Sequence, residues 1–219
     1  MNILHAIGNT SMVQLRKVVP PNCADIFVKL EWENPTGSLK DRMAHAVISR
    51  AEEDGRLKPG DTVIEYTGGS TGTSLALVCA AKGYPLQIVS SDAFSREKLD
   101  HMAALGVQLT IVRSEGGLTT KKLILDMIEA ARGLSQKPHT YWTDQLNNHD
   151  SIAGYYPLGE EIWSQPGGRS TNPRNPPCCW EVRQGLTRSK GLGLATLLHS
   201  GSRLWWTRSC RSERTRRRT

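Results

Sequence analysis

No apolar run in the 219-residue sequence approaches the roughly 20 residues of a membrane-spanning helix, so a transmembrane helix is excluded. The first ten residues, MNILHAIGNT, lack a basic stretch followed by a long apolar one, and no secretory signal is expected. Cysteine is scarce and irregular. Its five residues are odd in number and share no spacing, which argues against a disulfide framework and makes a reducing cytoplasm the expected compartment. The six histidines, His5, His45, His101, His139, His149 and His199, show no metal-ligand spacing and read as core or surface residues. No metal site is expected, and no internal repeat is visible. What remains, 38% hydrophobic and 22% charged residues in 24.2 kDa, fits a soluble globular protein of one large domain or two small ones.

The net charge of +7 is unevenly spread. Residues 1–165 carry 16 Lys and Arg against 19 Asp and Glu, whereas residues 166–219 carry 12 Lys and Arg against only Glu181 and Glu213. The chain therefore divides near Gln165 into a patterned domain, 1–165, and a basic segment, 166–219. The second part opens with the Pro- and Gly-rich PGGRSTNPRNPP and ends in SERTRRRT. Its weak patterning and high charge predict disorder. Cys178 and Cys179 are adjacent and lack ligand spacing. Trp205, Trp206 and Arg216 to Arg218 could stack on and neutralise nucleic acid, but such a cluster binds polyanions without sequence preference.

Within 1–165, strands and helices alternate. Strands are expected at Ile26–Glu31, Thr62–Tyr66, Leu86–Ser90, Gln108–Val112 and His139–Thr143. Helices are expected at Asp41–Asp54, Ser74–Ala81, Ser95–Leu105, Thr119–Arg132 and Ile152–Trp163. The first helix turns Met43, Ala44, Val47, Ile48 and Ala51 inward; the fourth turns Leu123, Ile124, Met127, Ile128 and Ala131 inward. Nearly continuous apolar strands between helices predict an α/β fold with a mostly parallel sheet covered on both faces.

Two stretches carry chemistry. In Asn34-Pro35-Thr36-Gly37-Ser38-Leu39-Lys40-Asp41-Arg42, a turn places Lys40 at a helix start beside Arg42. The positive helix end and Arg42 both give Lys40 reason to lose its proton, and an unprotonated lysine attacks carbonyls to form Schiff bases. A surface lysine in a helix-opening turn is the ordinary alternative. In Thr67-Gly68-Gly69-Ser70-Thr71-Gly72, small residues join a strand to a helix and let backbone N–H groups approach an anion. A tight turn capped by Ser70 or Thr71 is the ordinary alternative there.

Taken with Ile7-Gly8-Asn9-Thr10, LKPGDTVIEYTGGSTG at Leu57–Gly72, AAKGY at Ala80–Tyr84 and GEEIW at Gly159–Trp163, these stretches follow in the order of one family. The sequence resembles the cysteine synthase and cystathionine β-synthase group of fold type II pyridoxal-phosphate enzymes, the tryptophan-synthase-β-like superfamily. The resemblance covers nearly all of residues 4–169. It implies two lobes with mostly parallel sheets, the smaller spanning about Ala46–Thr143 and the larger incomplete here.

The resemblance further implies that Lys40 holds pyridoxal 5'-phosphate and later moves the proton at the substrate α-carbon. Thr67, Gly68, Gly69, Ser70 and Thr71 match the loop that binds the substrate carboxylate, and Gln145 matches a glutamine near it. Ser70 also stands where the family's asparagine meets the cofactor. The family usually reads Thr-Ser-Gly-Asn-Thr-Gly, so Gly68 and Ser70 depart from it, as does Ser11-Met12 from the usual Pro-Leu. The implied reaction is β-replacement on an O-activated serine through an aminoacrylate, in cysteine biosynthesis. Cystathionine β-synthase and threonine dehydratase-like chemistries are neighbours. The implied partners are a small amino-acid substrate and a second copy in a homodimer, with no membrane and no specific nucleic acid.

Two family features have no counterpart: a V-G-T-G-G-like phosphate loop after GEEIW, and a serine near the C-terminus for the pyridine nitrogen. A shifted reading frame permits EPEESAVLLGGKAG across Thr171–Gly185 and AHKIEGLGIGYTPPLW across Gly185–Gly201, which look like the family's C-terminal stretch. A deletion followed by out-of-frame translation after about residue 169 is therefore expected. Three functions follow as expectations: a cysteine synthase-type enzyme, a non-catalytic remnant of that family, and a polyanion-binding protein using its basic tail.

Overall fold

The β-branched and apolar runs TVIEY and LQIVS form two central strands buried on both sides, which fixes the architecture around them. The computed structural model describes residues 2–17 and 25–165. The sequence expectations for 166–219, including the basic tail and the frame shift, lie outside the described residues.

A 3-10 turn at Ile3–Ala6 leads into β1 (Met12–Leu15), which pairs antiparallel with β2 (Ile26–Lys29). A second 3-10 turn, Glu31–Glu33, and the Pro35–Gly37 bend precede α1 (Lys40–Glu53). Then follow β3 (Thr62–Tyr66), α2 (Ser70–Lys82), β4 (Leu86–Ser91), α3 (Arg96–Ala104), β5 (Gln108–Val112), α4 (Lys121–Ser135), β6 (Thr140–Trp142), α5 (His149–Ala153) and α6 (Tyr156–Ser164). Strands β3 to β6 form one parallel sheet in the order β5-β4-β3-β6.

The period of two along the strands assigns side chains to two cores. Val63 and Ile88 join Met43, Val47 and Ile48 of α1, Leu75 and Val78 of α2, and Met102 of α3. Ile64 and Val89 point the other way, against Leu123, Met127 and Ala131 of α4. Helices thus cover both faces, as the apolar strands predict. All five inward residues expected of α1 are buried. In α4, Leu123, Met127 and Ala131 are buried, while Ile124 and Ile128 pack at the edge of that core.

Several boundaries differ from the sequence expectation. Strand β2 ends at Lys29, because Leu30 and Glu31 turn into the 3-10 helix. Helix α2 starts at Ser70, four residues early, since its small polar first turn lies against neighbours and not in a loop. The single helix expected over Ile152–Trp163 is two, α5 and α6, broken at Gly154-Tyr155. A Cβ at Gly154 would lie 2.9 Å from the Arg42 carbonyl, so that break lets the backbone approach α1. The order β5-β4-β3-β6 makes the chain leave β3 on one side and return with β6 on the other. The carboxyl ends of β3 and β6 at that switch point are where α/β sheets bind ligands.

Candidate functional site

Lys40 is the first residue of α1, and its half-buried side chain reaches a residue 115 positions further along the chain. Its Nζ donates to the Tyr155 hydroxyl at 3.1 Å and lies 5.6 Å from that ring's centroid. Burial pushes the Lys40 ammonium below the usual lysine range, because taking it from water disfavours the charged form. Burial likewise raises the Tyr155 phenol above its usual range. Arg42 is not the cause expected from the sequence, since its guanidinium turns away to other partners.

Asp41, the next residue, locks the Lys40 turn onto α2. It accepts the Thr36 amide at 2.8 Å, the Thr36 hydroxyl, and the Ser74 hydroxyl at 2.5 Å. Burial pushes this carboxyl above its usual range, against the pull of the Ser74 and Thr36 hydrogen bonds.

Arg42 makes two bidentate pairs. Its Nε and Nη2 meet Glu31 at 2.8 and 2.9 Å, and its Nη1 and Nη2 meet Glu161 at 2.7 and 2.8 Å. Lys29 adds a 2.7 Å bridge to Glu161, and Thr10 donates to Glu31 at 2.6 Å. The Asn9 amide also reaches Glu161 at 3.0 Å, and the Gly8 amide meets the Asn34 side chain at 2.8 Å. Gly8 holds φ +87°, and a Cβ there would sit 3.0 Å from Arg42 Nη1. Burial works against the Glu161 carboxylate, but Arg42 and Lys29 outweigh it and hold the group down at about 2. The Gly8-Asn9-Thr10 and GEEIW motifs are therefore two ends of one ionic clamp around the Lys40 turn.

The Thr67–Gly72 turn sits at the switch point. Thr67 takes a ladder bond from its amide to the Val89 carbonyl at 3.0 Å, and its Oγ1 accepts the Gly69 amide at 3.2 Å. Neither Ser70 nor Thr71 caps α2; its N-cap, Gly69, makes no side-chain cap bond. Thr71 instead donates to Gln145 Oε1 at 2.6 Å. Gln145 follows β6, so strands β3 and β6 bring these two residues together as the sequence resemblance implies. Ser70 makes no side-chain hydrogen bond among the described residues. Lys40 bonds to no member of the turn; the Asp41–Ser74 bond joins the two segments.

Sequence reasoning missed four side chains here. Glu65 is fully buried on β3 and accepts the Thr143 hydroxyl at 2.5 Å, the Tyr66 amide at 2.8 Å and the Gln145 amide at 3.0 Å. A glutamate inside TVIEY was its signal. Tyr155 gave none beyond its place before GEEIW. Phe94 and Lys98, from the start of α3, lie over Gly68 and Gly69: a Cβ on Gly68 would sit 2.5 Å from the Phe94 ring, and one on Gly69 2.9 Å from Lys98 Nζ. Among the described residues no three His, Cys, Asp or Glu side chains gather as a metal site, and no helix is long and apolar enough to cross a membrane.

Comparison with known proteins agrees with this arrangement. Residues 3–174 match the family model described as pyridoxal-phosphate dependent enzyme. Cysteine synthase B of Salmonella typhimurium is 41% identical over 174 residues, 78% of this chain and 55% of that protein. Cysteine synthase from Entamoeba histolytica superposes with a TM-score of 0.70 at 34% identity, covering 76% of this chain and 49% of that one. The O-acetylserine dependent cystathionine β-synthase from Helicobacter pylori superposes at 0.68 with 32% identity, covering 76% and 54%. The chain spans about half the length of these relatives. With an α/β fold, a parallel sheet and cysteine synthase-like relatives, the chain belongs to the family of pyridoxal-phosphate dependent enzymes.

Proposed function

We propose that this chain carries the lysine and carboxylate side of a cysteine synthase-type site, which replaces the β-substituent of an O-activated serine. The observation that carries the reading is the Lys40 amine, drawn out of water, held by Tyr155, and tied through Asp41 and Ser74 to the turn at the β3–β6 switch point. The residues present fit the aldehyde end of pyridoxal phosphate: a desolvated lysine is the nucleophile that condenses with a carbonyl. When bound, the coenzyme supplies an electron sink for charge at the substrate α-carbon.

The protein's own residues supply the rest. Lys40 takes and returns a proton at its Nζ, which burial favours by raising the neutral fraction. Tyr155 orients that nitrogen through its hydroxyl. The amides and hydroxyls of Thr67 to Thr71 hold a carboxylate, with Gln145 fixing Thr71. On this reading residues 1–165 form the enzyme domain, the partner is a small amino acid, and the chain acts as a cytoplasmic homodimer without specific nucleic acid.

A second reading is a non-catalytic member of the family. It is favoured by the stretch that follows GEEIW, PGGRSTNPRNPP, which does not read as a phosphate-loop motif. Titration of the full chain with pyridoxal phosphate separates the two. The enzyme reading expects a visible absorbance band that Lys40→Ala abolishes. A chain that stays colourless supports the non-catalytic reading.

A further inference from the structure

The turn's two departures from the family pattern strip side chains from a loop that binds an anion. Gly68 stands where a serine hydroxyl is usual, and Ser70 where the longer asparagine is usual. The structure shows what fills the space. The Phe94 ring occupies the room above Gly68, with three ring carbons 2.5 to 2.7 Å from where a Cβ would be. That ring packs against the α4-side core, so it must be displaced to admit a serine. Lys98, one helical turn further along, lies across Gly69 with Cδ at 3.1 Å and Nζ at 2.9 Å from a Cβ position there. Among the described residues its ammonium joins no ion pair, although its neighbours Arg96 and Asp100 pair with each other at 2.8 Å.

We infer that Lys98 is a specificity-determining residue of the Thr67–Thr71 turn, the charged donor to a substrate carboxylate in place of the hydroxyl that Gly68 lacks. The inference rests on the carboxylate role proposed for this turn. An ammonium with no ion pair among the described residues, beside the start of α2, is unfavourable alone, because both are positive. A carboxylate between them reverses the sign and gains a charge-assisted hydrogen bond. Phe94, packed against the α4-side core, fills the space over Gly68 next to that contact. The ligand class is an amino acid recognised through its carboxylate charge.

Calorimetry on the full chain with L-serine and L-serinamide tests this, since the two probes share a side chain and differ in that charge. The unmodified chain should bind L-serine about tenfold more tightly. Lys98→Met should erase the preference while leaving the melting temperature unchanged, and Lys98→Arg should keep it. A preference that survives in Lys98→Met overturns the inference. So does an unmodified chain with no preference, which also removes the carboxylate role of the turn. The Lys40 titration is read separately: a colourless chain that prefers L-serine sinks the coenzyme reading and supports the role of Lys98.

Discussion

In the four-stranded region the sheet meets its helices through apolar side chains. Val63, Ile64, Ile88 and Val89 meet helices on both sides, and none of them is more than 1% exposed. The neighbouring region, made of the β1–β2 ribbon, the Lys40 turn and α6, is joined by charge. Lys29, Glu31, Arg42 and Glu161 link four segments there, while Trp32, Tyr156 and Trp163 stand about half exposed at 53%, 56% and 47%. The difference teaches where the fold is self-sufficient. A parallel sheet covered by helices closes its own core. The ribbon and α6 offer apolar faces that the described residues do not cover, and ions hold them in place.

The largest expected effect comes from removing the centre of the ionic clamp. Arg42→Met leaves the buried Glu31 carboxylate without its ionic partner and Glu161 with Lys29 alone, at a cost of about 3–5 kcal/mol. Hydrogen exchange should accelerate in β1, β2 and α6 and stay slow in β3 and β4. Equal loss of protection in both regions would erase the distinction drawn here.

A smaller effect tests the sheet side. Gly68→Ser forces the Phe94 ring out of place and should cost roughly 1–3 kcal/mol, read as a lowered melting temperature. Adding Phe94→Ala relieves the collision, so the double variant should lose less than the sum of the two single ones. Strict additivity would show that the ring and the glycine are independent.

The smallest effect is a difference of sign on acidification. Glu161 is held at about 2, below its ordinary 4.5, so its contribution is present above about 4.5 and is lost as pH falls towards about 2. Asp41 and Glu65 are raised by burial, so protonation relieves them as pH falls through their folded values. Exchange measured down the acid range should speed up in α6 before it does in β3. The reverse order would contradict these assignments.

Much of the fold was legible because apolar runs and helical periodicity report burial directly. The bounds of β3 and β5 agree residue for residue with the sequence reading. Strand β1 was not legible: MVQL is short and half exposed, and only its partner β2 makes it a strand. Of the candidate site, the motifs brought out the Thr71–Gln145 contact but not the Tyr155 partner of Lys40. Its supports were not legible, because Glu31, Glu65, Arg42 and Glu161 are charged residues whose partners lie up to 152 positions away. Charge inside an apolar pattern marks such a residue, but not its partner. Phe94 and Lys98 were hidden for a related reason: a glycine in sequence does not say what stands over it.

The most direct test of the account is reductive trapping. The full chain is mixed with pyridoxal phosphate, treated with borohydride and digested, and its lysines are mapped by mass. The coenzyme should be found on Lys40 in preference to the chain's other lysines, because among the described lysines it alone combines a partly buried amine with the Tyr155 contact and a place next to Asp41, which bonds to Ser74 of α2. Label spread evenly over exposed lysines, with Lys40 unmodified, would contradict it.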